Sequence, residues 1–164
     1  MTDVESIIEQ IIDLLNVGLP DRLAAIAAEK HDGIPLEEVG RFYFGERFID
    51  KVVSVTVPVI TVSVEQLNVR NAQAGYSEDD VAAVITVILR GDKEEAITRK
   101  AMRYARAVRE ALELMSALDL YGGGSVKHSF VSSVEYSPLT RSGDVVFMGV
   151  DIRATIGVVT PGGN

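Results

Sequence analysis

The chain has no cysteine, no tryptophan and only two histidines, His31 and His128, in 164 residues. Without cysteine there is no disulfide, no thiolate metal site and no cysteine nucleophile, which fits an intracellular product. Two histidines leave a histidine metal site short of ligands, so neither metal nor cofactor is expected. No apolar run reaches the roughly 18 residues of a membrane span, so no membrane partner is expected. The start "MTDVESIIEQ" is acidic and does not read as a secretory signal, placing the chain in a cytoplasm. Bases are scarce as well: 24 acids face 16 bases, and Asp3, Glu5, Glu9, Asp13 and Asp21 all precede the first base, Arg22. A net charge of −8 argues against tight binding to DNA.

What is present is apolar substance, 47% of the residues, without tryptophan. The core is therefore expected to be aliphatic, and the length suits one domain. Thr2 and Glu5 have capping-box spacing, and Val4, Ile7, Ile8, Ile11 and Leu15 recur at helical period up to Gly18. Pro20 suits the first position of a second helix ending by Gly33, giving N-terminal helices over about 2–31. In "KVVSVTVPVITVSVEQ" the period-two pattern slips by one residue beside Pro58, which predicts an edge position or a bulge there. "LNVRNAQAGYSEDD" reads as a polar loop.

"VAAVITVILRG" is apolar on both faces and reads as a central strand. Asp92 and Glu95 repeat the capping spacing before a helix over about 93–118, whose apolar face is Ile97, Ala101, Tyr104, Ala105, Val108, Leu112 and Met115. A strand follows with Val126, His128, Phe130 and Val134 on one face. Then "SPLTRSGD" makes a hairpin connection to a strand with Val146, Met148, Val150, Ile152, Ile156 and Val158 on one face. The order predicts an α+β fold: a mainly antiparallel sheet, a long amphipathic helix packed on one face, and N-terminal helices. The sheet-and-helix core spans about 41–160, with a loose tail over 161–164.

No catalytic pattern stands out. "GGGSVKHS" lacks phosphate-loop spacing and follows a helix, so it reads as a helix stop and turn. His128 reads as a core or interface histidine. Glu37, Glu38 and Glu46 read as solvated acids, and "SEDD" over 77–80 as a wet turn without the spacing of a calcium loop.

The conspicuous local feature is "RKAMRYARAVRE", residues 99–110. On a helical projection Arg99, Arg103 and Arg106 fall within about 60° of one another, opposite Val108, so they are expected to face outward. Glu95 with Arg99, Arg106 with Glu110, and Arg109 with Glu113 stand at i,i+4 and partly neutralise the stripe. The stripe is then either a solvated helix face or a subunit interface formed by Arg99, Arg103, Arg106 and Arg109. A nucleic-acid face would leave its bases unopposed and add aromatic platforms.

"GRFYFGERF", the Val-rich strand and "VITVILRGDKEEAITRKAMRYARAVREAL", about residues 41–115, together resemble the tail terminator (tail completion) proteins of long-tailed bacteriophages and their neck-protein relatives. The resemblance rests on segment order, the junction between strand and "RYARA" helix, and total length. It implies a virion structural protein, assembled in the host cytoplasm, that is not an enzyme. Its partners would be copies of itself in a ring, commonly a hexamer, with the tail tube protein on one side and the head connector on the other. DNA would pass through the ring, and Glu5, Glu9 and Asp13 would form an acidic pore-facing surface that repels phosphate. Another phage subunit, of tail tube or head completion, fits the same residues, and a small enzyme with a nonstandard site is a further alternative.

Overall fold

The computed structural model describes residues 2–45, 58–73 and 75–162. In chain order these form helix α1 (Val4–Lys30), strands β1 (Arg41–Phe44), β2 (Val59–Gln73) and β3 (Tyr76–Gly91), and helix α2 (Glu94–Glu113) with a 3-10 turn (Leu114–Ala117). Strands β4 (Ser125–Tyr136), β5 (Thr140–Ser142) and β6 (Val145–Pro161) complete the order. The fold is α+β. One sheet runs β1-β2-β3-β6-β4, with β5 also on β6. It is mixed, because β1 lies parallel to β2 while every other pair is antiparallel.

Both helices cover one sheet face. Val81, Ala83, Ile85, Val87 and Leu89 of β3 and alternate residues Val146 to Val158 of β6 turn toward them and are buried. The apolar row of α2, from Ile97 to Met115, meets that face, and Tyr104 at its centre is fully buried. The helix itself ends at Glu113 and tightens into the 3-10 turn, short of the expected 118.

Several expectations are corrected. The two N-terminal helices are one helix of 27 residues with Pro20 inside it. A proline there removes one helical hydrogen bond. The cost is offset by an uninterrupted buried row, Ile8, Ile11, Leu15, Leu19, Leu23 and Ile26, that continues across it. The N-cap is Asp3, whose carboxylate accepts from the Ser6 N–H, while Thr2 turns into the sheet. The α2 N-cap is Lys93, not Asp92, and no side chain caps it.

The polar loop over 67–80 is instead the outer half of a β2–β3 hairpin turning at Gly75, whose φ of 107° suits glycine. Register shifts between Val64 and Gln66 and between Val69 and Asn71 release the pairing from strict alternation. The predicted irregularity at Pro58 lies just ahead of β2, where the Pro58 carbonyl accepts from the Gly40 N–H. Residues 51–57 of the Val-rich segment, and Glu46, lie outside the described residues.

On β4 two further register shifts, around Lys127 and Ser132, divide the expected single face. Val126, Val131 and Val134 pack on the core, whereas His128 and Phe130 stack together on the face away from the helices. Of the tail, Pro161 still pairs with Tyr76 and the Gly162 N–H donates to the Gly75 carbonyl at 2.9 Å. Residues 163–164 lie outside the described residues.

Candidate functional site

The arginine stripe forms a seam between α2 and the C-terminal part of α1. Arg103 is not on the surface: its side chain is 6% exposed and grips Asp32, with Nη1 at 3.0 Å from Oδ1 and Nη2 on Oδ2. The chain turns back at His31, in a left-handed conformation (φ 50°), and this lays Asp32 over the helix. The hydrogen bonds from the Arg103 guanidinium hold the Asp32 carboxyl down at about 2, aided by the Ile34 N–H.

Segment 32–39 is fastened at a second place. Lys100 Nζ donates to both Glu37 oxygens, at 2.8 and 3.0 Å, and the Tyr104 hydroxyl donates to the Glu37 carbonyl. Burial pushes the Tyr104 phenol well above its ordinary range. Glu37 is therefore a strap contact and not merely a solvated acid. Its pairing with Lys100 spans 63 positions, which is why no local pattern announced it.

The other three stripe arginines are exposed and paired within the chain. Arg99 donates to Glu95 at 2.9 Å, Arg109 Nε lies 3.4 Å from Glu113, and Arg106 bridges Glu110 and Glu29 at 2.8 to 3.0 Å. The hydrogen bonds that Arg106 donates to Glu29 and then to Glu110 raise its pKa further. The i,i+4 pairs expected from spacing are present. The Glu29 and Asp32 contacts are not visible in spacing.

On α1 the sequence-predicted acids Glu5, Glu9 and Asp13 stand exposed on one face, as their 80° sweep requires. Among the described residues none of them makes an ion pair, and Asp13 accepts one hydrogen bond, from the Tyr121 hydroxyl at 3.0 Å. That contact raises the Tyr121 phenol. The structure brings neither set of candidates to the other: the arginines lie toward the C-terminal end of α1, the acids toward its N-terminal end.

"SEDD" is no wet turn. Ser77, Asp79 and Asp80 are buried in β3. Asp79 receives the Thr2 N–H and hydroxyl and the Ser77 hydroxyl. Burial works against its ionisation, yet these hydrogen bonds hold its carboxyl below the usual range. On the opposite face Asp80 pairs with Arg70 and lies 3.6 Å from His128. His128 sits over Gly157, where a Cβ would collide with the imidazole. An open groove of about 790 Å³ separates Ile34 and Pro35 from Arg90, Asp92 and Lys93. Among the described residues no three His, Asp or Glu side chains are grouped to hold a metal, and no helix is long and apolar enough to cross a membrane.

No family model and no curated protein matches the chain. A solved chain from the virion of a native gene transfer agent particle has a similar layout, at 15% identity and a TM-score of 0.49, over 90% of this chain and 97% of that one. The likeness is one of layout alone.

Proposed function

We propose that the chain is a structural subunit of a phage-type virion, with no catalytic role, and more narrowly a tail-completion subunit. Copies would close into a ring that meets the tail tube on one side and the head connector on the other. The sequence resemblance over about residues 41–115 supports this reading. The observation that carries it is the outer row of α2: Arg99, Arg106 and Arg109 stand exposed beside Glu95, Glu110 and Glu113. Exposed pairs of this kind exchange partners at small cost, so a neighbouring copy can take them over and gain register from them. Arg103 is left out of that surface because Asp32 occupies it. Glu5, Glu9 and Asp13 would supply the negative side turned toward the DNA passing through.

Light scattering coupled to gel filtration, with and without a tail tube protein, tests the ring. The parent is expected to form a closed oligomer. Arg99→Glu with Arg109→Glu is expected to abolish it while the thermal midpoint of the monomer moves by no more than about 2 °C. A strict monomer at high concentration with tube protein present overturns the reading.

A further inference from the structure

The acidic row of α1 does not stop at Asp13. Continued at i,i+4 it runs Glu5, Glu9, Asp13, Val17, Asp21, so one aliphatic residue interrupts four carboxylates. Val17 is 79% exposed, more than any other large apolar side chain among the described residues. It opens on a groove of about 290 Å³ between α1 and the segment after the 3-10 turn, with Leu14, Leu118 and Tyr121 as its other apolar walls.

This groove is held in shape. Gln10, 3% exposed, donates through Nε2 to the Asp119 carbonyl at 2.7 Å and accepts the Tyr121 N–H at 3.2 Å. The Tyr121 hydroxyl is tied to Asp13 across the opening. Leu118 and Tyr121 remain 37% and 59% exposed, so apolar surface is displayed on a fixed frame. Exposed apolar surface rimmed by polar groups is the mark of an interaction site.

The rim tells what fits. Asp13 and Asp119 line the groove, Glu9 stands one turn before Asp13 and Asp21 one turn after Val17, and among the described residues none of these acids makes an ion pair. A nucleic acid or an anionic lipid is repelled by such a rim. A second copy is a poor complement too, since the chain carries −8 and its surface is acidic in balance.

We propose that the groove is a docking site for a cationic amphipathic segment of another protein. An apolar side chain of the segment seats over Val17, Leu118 and Tyr121, while flanking Lys or Arg residues pair with Asp13, Asp21 and Asp119. The inference concerns the single chain and does not depend on the ring.

The probe is a synthetic helical peptide with leucines on one face and lysines on the other, titrated by calorimetry and by amide chemical shifts. Saturable one-to-one binding is expected, with shifts centred on Leu14, Val17, Leu118 and Tyr121. Val17→Asp, at an exposed position that leaves folding intact, is expected to weaken binding roughly tenfold. Asp13→Asn with Asp21→Asn is expected to flatten its salt dependence. Unchanged affinity in Val17→Asp overturns the proposal, as does equal binding of an oligolysine without leucine. Peptide-free self-association that shifts the same amides and vanishes in Val17→Asp also overturns it, since the occupant is then a second copy. The Arg99→Glu, Arg109→Glu variant should keep peptide binding whether or not it forms rings, which separates failure here from failure of the ring reading.

Discussion

Arg99, Arg103, Arg106 and Arg109 occupy the α2 side of the helix layer, and each meets a carboxylate of its own chain. Glu5, Glu9, Asp13 and Asp21 run along α1, and among the described residues none meets a cation. Both rows are charges at helical spacing, but only the arginine row has acids of its own helix at i,i+4. They differ further because α2 packs beside the C-terminal part of α1 and under the 32–39 strap, so that Asp32 reaches Arg103, Glu29 reaches Arg106 and Glu37 reaches Lys100. Among the described residues no basic side chain pairs with the acids on the outer face of the N-terminal part of α1. A charge compensated in a buried pair, as Arg103 is, holds the fold together, whereas exposed pairs and uncompensated charges remain available to something else.

Reversing Arg103 breaks that contrast most strongly. Arg103→Glu sets a second carboxylate against Asp32 at a position that is itself buried, 6% exposed, although Asp32 keeps 31% of its surface in water, and the thermal midpoint is expected to fall by about 5 °C. Arg99→Glu, on the same helix face but exposed, is expected to move it by no more than about 2 °C. Thermal melts of the two variants side by side check this; equal shifts would mean that the seam is no more structural than the surface.

Acid sharpens the same contrast. Asp32 titrates at about 2 in the folded chain against an ordinary 3.8. A folded value below the unfolded one means that its contribution is complete above pH 3.8 and is lost as pH falls toward 2. Asp3, Glu29 and Asp79 are lowered in the same direction. Denaturant titrations should therefore find Asp32→Asn less stable than the parent near pH 7, with the difference shrinking between pH 4 and 2. A difference that stays constant over that window would remove the Arg103 pairing as its source.

The smallest effect is expected on the acidic row. Glu9→Gln relieves the like-charge neighbours Glu5 and Asp13 at i,i+4 on either side, each worth roughly 0.2–0.5 kcal/mol. The thermal midpoint should rise by about 1–2 °C at low salt and return toward the parent as salt is added. A fall at low salt would show that Glu9 already has a partner that stabilises the chain.

The amino-acid sequence alone determined those parts of the fold where one local period coincides with one dry face. The buried rows of β3 and β6 and the apolar row of α2, from Ile97 to Met115, were legible because alternation and the 3.6-residue period report which side of an element is withdrawn from water. The exposure of Glu5, Glu9 and Asp13 followed from the same rule. Tertiary structure decided what periodicity cannot carry. In β4 the register shift at Lys127 moved His128 and Phe130 off the face of Val126 and the shift at Ser132 returned Val134 to it, because one extra residue in a strand reverses the side chains beyond it. A continuous buried row carried α1 through Pro20. Backbone pairing made strands of the polar stretches 67–73 and 76–80. Arg103 could not be told from Arg99 by spacing, since its partner Asp32 lies 71 positions away and reaches it only once the chain has turned at His31 and laid the strap across α2.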